Sequence, residues 1–164
     1  MKRIITLFAI VGMIAFSGCT NEETVDSDTI AEVIEINGIN FNSSNGFRIR
    51  YDFKPEIYPQ DMVLVYRLVA VENGVKVWGP LPETAFDNNG AYDFRYNFEF
   101  SKYDVDIFMQ GFDLGSIISN LRLNQTFRIV IVPGYFAKTL DANNYISVMK
   151  ALNLEENQVQ QVRL

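Results

Sequence analysis

The chain has 164 residues, with 14 basic and 20 acidic side chains, one cysteine and no histidine. Without histidine, Ser-His-Asp and Cys-His catalysis is excluded, and so are zinc, copper and haem sites built on histidine or several cysteines. The formal charge of −6 repels phosphate backbones, so nucleic acid is not an expected partner.

The first eighteen residues contain the three parts of a secretory signal peptide. Lys2 and Arg3 supply a positive start, residues 4–16 are almost wholly apolar, and Ser17 and Gly18 are small. The apolar stretch is shorter than the about 20 residues that span a bilayer, so a transmembrane anchor is the weaker interpretation. Residues 1–18 are therefore predicted to be a signal peptide.

The end of this segment indicates which kind of signal it is. Phe16-Ser17-Gly18-Cys19 resembles the bacterial lipobox, in which small residues precede an obligatory cysteine; Phe16 stands where leucine is usual. The resemblance implies that the signal peptidase recognises Phe16, Ser17 and Gly18, that it cuts before Cys19, and that the Cys19 sulfur carries lipid. Two or three acyl chains would hold the protein stably on a membrane. The alternative is an ordinary signal peptide with a chance cysteine.

Residues 19–28 are predicted to be the lipidated cysteine and a flexible acidic spacer. Residues 20–28 are mainly polar, acidic and free of aromatic side chains, so they bury too little surface to become ordered. Acidic residues directly after Cys19 also resemble the surface-export signal of Bacteroidota lipoproteins, and Thr20 resembles sequences released to the outer membrane. The expected location is the outer membrane, on its periplasmic face or on the cell surface.

Residues 29–164 are predicted to form a single β-rich globular domain, a length that suits one core. A short strand is predicted at Val33–Ile36 and a turn at residues 42–46. Phe47–Phe53 then alternates between apolar and polar residues, a period of two that is typical of a strand with one buried face.

The next predicted strand, Met62–Val71, is apolar on both faces apart from Arg67, as in a central strand covered on both sides. Asn73-Gly74 favours a tight hairpin turn, which should lead into a strand at Val75–Trp78. A second turn is predicted at residues 87–90.

Tyr92–Phe100 has the longest strict alternation in the chain and is predicted to be a half-buried strand. Val105–Met109 is a shorter predicted strand, and Ser116–Leu121 a short helical turn. Thr126–Val132 is nearly all apolar and is predicted to be a second central strand.

One helix is predicted near the end of the chain. Asp141 is a suitable N-cap, Asn153 can end the helix, and the apolar residues between them recur at helical spacing: Tyr145, Val148, Met149 and Leu152. A last strand is predicted at Val159–Leu164. Many strands with one late helix predict a mainly β fold, either an antiparallel β-sandwich of immunoglobulin-like type or a half-open barrel.

Three aromatic residues are candidates for a binding loop. Trp78 stands beside a proline-containing turn, and Tyr135 and Phe136 follow Pro133-Gly134. Exposed aromatic side chains on rigid loops can anchor a glycan or a protein partner, whereas the same residues can equally close the end of a core.

With histidine absent, carboxylates are the remaining side chains that could act as catalytic groups or as metal ligands. Asp104 and Asp106 share a face if their segment is a strand, and Asp93 and Glu99 lie on a solvated face, so a glycoside-type hydrolase is an alternative. Oxygen-rich segments begin at Asp87 and at residue 141, but neither completes a calcium loop, and turn formation and helix capping explain them. No nucleotide-binding glycine motif occurs, so neither a metal nor a cofactor is expected.

The lipobox, the acidic start and the strand and turn at residues 127–134 together resemble small Bacteroidota lipoproteins, a group with no established activity to transfer. The resemblance implies a place in the cell envelope. The sequence therefore predicts a lipid-anchored, non-catalytic binding or structural protein, with the membrane and an unidentified protein or glycan as partners. The alternatives are the carboxylate-based hydrolase and a subunit of an outer-membrane complex.

Overall fold

A computed structural model of the chain describes residues 31–137 and 140–164. The predicted signal peptide, with Phe16, Ser17 and Gly18, lies outside the described residues, as do Cys19 and the spacer of residues 19–28. None of the helices in the described ranges is long and apolar enough to cross a membrane.

The predicted β-sandwich is confirmed, because nine strands in the described residues form two separate sheets. The strands are β1 Glu32–Ile39, β2 Arg48–Asp52, β3 Met62–Glu72, β4 Val75–Pro80, β5 Glu83–Phe86, β6 Tyr92–Phe100, β7 Asp104–Gly111, β8 Gln125–Val132 and β9 Gln160–Val162. One sheet has the order β4-β3-β8-β1-β9 and the other β2-β7-β6-β5. Neighbouring strands are antiparallel except β1 and β9, which are parallel.

The main core lies between the sheets and is built by the alternating strands. Ile34 and Ile36 of β1 and Phe94 and Tyr96 of β6 are buried there, with Ile107 of β7. Their polar neighbours face outward, as the period of two predicts.

A second apolar cluster covers the outer face of the five-stranded sheet. The helix α2, Tyr145–Ala151, lays Tyr145, Val148 and Met149 over β3 and β8. The helix therefore supplies the second cover that the apolar sequences of these two central strands require. Leu152 is buried as well, and Asn153 has a φ of 52°, which ends the helix as predicted.

The predicted N-cap of this helix is wrong by three residues. Asn144, not Asp141, precedes the first helical residue, and its side-chain oxygen accepts a hydrogen bond from the Ser147 backbone N–H at 3.1 Å. Asp141 Oδ1 instead accepts from the Asn143 N–H at 3.2 Å in the preceding turn. Both residues are good caps, so the sequence alone does not distinguish them.

The predicted hairpin between β3 and β4 is confirmed. Asn73 and Gly74 have φ values of 51° and 81°, the left-handed pair that a tight type I′ turn requires. The other short elements are the helix α1, Ser119–Arg122, which overlaps the predicted helical turn, and 3₁₀ helices at Ser43–Asn45 and Glu156–Gln158. The strand β5 was not predicted.

The strand registers define two ends of the sandwich. Glu32 pairs with Ile131, and Asp52 pairs with Asp104, so Ala31 and the loops at residues 53–61, 101–103 and 133–137 lie at one end, here called the near end. The turn at residues 87–91 and the loop at 112–124 lie at the opposite end, called the far end.

Candidate functional site at the near end

A cleft of about 490 Å³ opens between the two sheets at the near end. Its floor includes Ile34 of β1 and Ile131 of β8, and Tyr51 of β2 forms part of the facing wall. The loop at residues 53–61, which joins β2 to β3, forms another wall. The cleft therefore lies between this loop and the strand ends of the two sheets.

Backbone hydrogen bonds fix this loop against the neighbouring β6–β7 turn. The Phe53 N–H donates to the Tyr103 carbonyl at 2.7 Å, and the Ile57 N–H donates to the Lys102 carbonyl at 2.9 Å. Such bonds hold a cleft wall in place before a ligand arrives, which lowers the entropy cost of binding.

The last residues of the loop form a turn stabilised by a carboxylate. Tyr58 N–H donates to Asp61 Oδ2 at 2.9 Å, and Asp61 N–H donates back to the Tyr58 carbonyl at 3.0 Å. Asp61 Oδ1 is buried and has no hydrogen-bond partner within the described residues. A buried acceptor without a donor costs free energy of folding.

Aromatic and acidic side chains share the lining of the cleft. The aromatic members are Tyr51, Phe53 and Tyr58, and the acidic members are Glu32, Glu56 and Asp61. Lys54 and Gln160 complete the polar lining. Burial raises the pKa of Tyr51, and the nearby charge of Glu32 raises it further, so the Tyr51 hydroxyl stays neutral.

Further tyrosines stand on the rim beside the cleft. Tyr103 follows Lys102, whose Nζ lies 4.5 Å from the Tyr103 ring and 2.9 Å from Glu56 Oε1. Tyr135 is 83% exposed and follows Gly134, which packs on Gln60 so closely that an added Cβ would lie 2.6 Å from the Gln60 carbonyl oxygen. The predicted candidate Tyr135 therefore stands next to the loop that forms the cleft.

None of the three predicted binding residues lines the cleft, and Trp78 and Phe136 pack elsewhere. Trp78 lies in β4 and packs, with Phe136, against the second apolar cluster. The Trp78 and Tyr145 ring centroids are 5.7 Å apart, and the Arg128 guanidinium lies 4.2 Å from the Trp78 ring centroid. Their predicted role in binding stays a prediction, but their observed contacts are those of packing residues.

Arg128 is the centre of an ion cluster on the outer face of the five-stranded sheet. It is 1% exposed, and its guanidinium donates to Glu35 at 2.8 Å and to both Glu156 oxygens at 2.6 and 2.7 Å. It also donates to the Tyr145 hydroxyl, whose pKa is raised to about 12, mainly by burial. The cluster fastens the C-terminal segment to the sheet, and the sequence patterns gave no sign of it.

The predicted carboxylate pair Asp104 and Asp106 lies on the outer face of the four-stranded sheet, where arginines neutralise it. Arg50 donates to Asp106 at 2.8 Å and lies 3.3 Å from Asp104, and Arg48 donates to Asp106 at 2.7 Å. The hydrogen bond from Arg50 is the main cause that lowers the pKa of Asp106. Glu99 joins the same network through Arg48 at 2.6 Å.

Among the described residues, no group of three or more acidic, histidine or cysteine side chains is arranged to hold a metal ion. Asp87 Oδ1 accepts from the Asn89 and Ala91 N–H groups at 2.8 Å each, which is turn formation. Comparison with protein-family models, with curated proteins and with solved structures found no match to this chain. Function is therefore proposed from the chemistry of the cleft and of the N-terminal sequence.

Proposed function

We propose that this protein is a lipid-anchored, non-catalytic binding protein of the bacterial outer membrane and that its near-end cleft takes a saccharide. The observation that carries the proposal is the lining of the cleft, where aromatic rings and carboxylates face the same space. A sugar ring has apolar C–H faces that stack on aromatic rings and hydroxyl edges that donate to carboxylates.

Individual groups in the cleft suit this ligand class. Tyr58 is 45% exposed, so its ring is available for stacking. Asp61 and Glu56 add carboxylates to the same wall. Glu32 and Gln160 add hydrogen-bonding groups on the opposite side, from β1 and β9.

The N-terminal sequence supports the anchor and its relation to the cleft. Ala31 follows Cys19 by twelve residues and leads into β1 at the near end. A chain of that length spans at most about 40 Å when fully extended. Lipid on Cys19 would therefore keep the cleft within reach of the glycans at the membrane surface.

The carboxylates that the sequence singled out for hydrolysis are engaged elsewhere. Asp104 and Asp106 both pair with Arg50 on the outer face of the four-stranded sheet, and neither lines the cleft.

Metabolic labelling with palmitate tests the anchor. The wild-type chain should incorporate label and partition into detergent, and Cys19→Ala should do neither. Equal labelling of the two chains would remove the lipid anchor from the proposal.

A glycan array followed by titration tests the ligand. Tyr58→Ala should weaken binding of the selected glycan by about tenfold, which corresponds to about 1.4 kcal/mol. Tyr92→Ala is the matched control, because Tyr92 is similarly exposed, at 52%, but lies at the far end. No glycan bound, or the same loss in both variants, would contradict the saccharide site.

A carboxylate-based hydrolase is the second candidate, because Glu32, Glu56 and Asp61 line one cavity. Incubation with the bound glycan distinguishes the two functions. Hydrolysis that Glu32→Gln or Asp61→Asn abolishes would favour the enzyme, whereas a glycan that stays intact favours the binding protein.

A further inference from the structure

The C-terminal segment, residues 155–164, lies along the edge of the five-stranded sheet and is here called the C-terminal strap. It contains the 3₁₀ helix Glu156–Gln158 and the strand β9. The structure describes every residue of the strap, and none of them is buried: Val159 and Val162 are half-buried and the others are exposed. A chain end that buries so little apolar surface opens at a lower free energy than the strands of the core.

A short strand pairing and an ion pair hold the strap on the sheet. β9 is parallel to β1 and pairs with it over three residues. Glu156 accepts hydrogen bonds from Arg128 at 2.6 and 2.7 Å, and Gln161 Oε1 accepts from the Asn37 side chain at 2.8 Å. The Glu156 side chain is 67% exposed. Water reaches this carboxylate, so the ion pair, here called the clamp, breaks at a modest cost in free energy.

The strap also forms one side of the near-end cleft. Gln160 lines the cleft together with Glu32 and Ile34 of β1, and it pairs directly with Ile34. Separation of the strap from β1 would therefore remove Gln160 from the lining and open this side of the cavity to solvent.

The rest of the sheet keeps its partners when the strap is absent. β1 pairs with β8 from Glu32 to Ile36 and again at Ile39, so β1 still has a neighbouring strand. Arg128 keeps Glu35 at 2.8 Å, and Glu35 keeps Lys76 at 2.6 Å. The buried charges thus stay compensated, and the strap can open locally without global unfolding.

We propose that the C-terminal strap is a movable wall of the near-end cleft, which opens from β1 while the rest of the domain stays folded and closes on a bound saccharide. The clamp sets the population of the open form. A saccharide that contacts both Gln160 and the cleft floor binds the closed form, so its binding and the closing of the strap are linked. This coupling rests on the proposed function, whereas the opening of the strap does not.

Hydrogen exchange of backbone amides, followed by NMR on the full chain in non-ionic detergent, tests the opening. The β9 amides that pair with β1 should exchange about a hundredfold faster than amides at the centre of β8, because local opening costs less than global unfolding. Glu156→Gln should raise the exchange rate of these β9 amides about fivefold, since it breaks the clamp. Exchange of β9 at the rate of β8 would overturn the proposal.

The matched control is Glu155→Gln, which removes the same charge from the neighbouring residue. The Glu155 carboxylate accepts from Asn157 at 3.3 Å, within the strap, and does not belong to the clamp. This variant should therefore exchange its β9 amides at the wild-type rate. An equal increase in the two variants would show that the clamp does not control the opening.

A second arm tests the coupling with the glycan that the array selects. At about ten times its Kd, this glycan should slow the exchange of the β9 amides about tenfold, because it lowers the population of the open form by that factor. An array glycan that does not bind the chain should leave the rate unchanged. A bound glycan that does not slow β9 exchange overturns the coupling. If no glycan binds, the coupling fails together with the proposed function, whereas the exchange rates of the wild type and the two variants decide the opening by themselves.

Discussion

At the scale of single residues, Arg128 is a charged side chain that is 1% exposed within the five-stranded sheet. Burial removes the Arg128 charge from water, which costs free energy. Only interactions with groups close to the guanidinium offset this cost. Glu35 and Glu156 supply opposite charge, and Trp78 and Tyr145 cover the guanidinium with their rings. Glu35 is itself 2% exposed and depends on Arg128 and on Lys76, at 2.6 Å, for its neutralisation.

Replacement of Arg128 by methionine should therefore destabilise the domain by about 3 kcal/mol, because Glu35 stays buried with half of its compensation lost. Urea unfolding of Arg128→Met measures this change. The control Arg163→Met alters an exposed arginine near the C-terminus and should change stability by less than about 0.5 kcal/mol. An unchanged urea midpoint for Arg128→Met would show that the ion cluster contributes nothing to stability.

Buried and paired carboxylates also determine how the stability of the domain changes as the pH falls. Burial raises the pKa of Glu35, but hydrogen bonds from Lys76 and Arg128 outweigh it and leave the pKa lowered; Asp106 is lowered mainly by Arg50. The unfolded chain binds protons at these groups more readily than the folded one. Their stabilisation is therefore complete above about pH 4.5 and is lost as the pH falls through the lowered pKa values.

Urea midpoints of the wild type and of Asp106→Asn, compared at about pH 7 and about pH 3, check this response. The wild type should be clearly more stable than the variant at neutral pH, and the difference should shrink in acid. A difference that is constant with pH would contradict a lowered pKa at Asp106.

At the scale of elements, the strands with a period of two were predicted well, because apolar and polar residues alternate along a half-buried strand. Phe47–Phe53 and Tyr92–Phe100 contain β2 and β6. β5 was not predicted, because its four residues, ETAF, are too few to show an alternation of apolar and polar residues. The predicted hairpin turn was equally local, since its left-handed residues are the ones that Asn-Gly supplies.

The cleft was not predictable from such patterns. Its lining comes from residues as distant in sequence as Glu32 and Gln160, which the parallel pairing of β1 with β9 brings together. The ion cluster depends on the same kind of distant pairing. Of the three aromatic residues singled out by the sequence, only Tyr135 stands near the cleft, because exposure is decided by packing partners that the sequence does not reveal.

The start of α2 offers a test that separates the predicted N-cap from the observed one. Asn144→Ala should cost about 1 kcal/mol of stability, because the Ser147 N–H loses its acceptor. Asp141→Ala should cost less, since Asp141 supports only the preceding turn. Thermal unfolding of both variants measures the difference, and a larger loss for Asp141→Ala would favour the predicted cap.

At the scale of the whole molecule, the two ends of the sandwich have different surroundings. The near end carries the cleft and the entry of the chain into β1, and the far end carries the exposed side chains of Phe86 and Phe112. If Cys19 is lipidated, the length of the spacer sets how far the near end stands from the bilayer, while the far end is one domain length further away.

Deletion of residues 20–28 should therefore bring the near end against the membrane. On vesicles that carry the lipidated chain, a bulky maleimide should react several-fold more slowly with Tyr135→Cys after the deletion. The reaction of Phe112→Cys, at the far end, should keep its rate. The same slowing at both positions would show that the domain has no fixed orientation relative to its anchor.

The position of β1 in its sheet affects when the protein can fold during its synthesis. Of the described strands, β1 is the first to leave the ribosome, yet its two neighbours in the sheet, β8 and β9, are the last two, with contacts across 93 and 124 residues. The five-stranded sheet therefore cannot close until almost the whole polypeptide is available, and pairing over such separations is slow. Until β8 has been made, β1 has no partner strand in its sheet, although the strands of the four-stranded sheet are by then all available to pair.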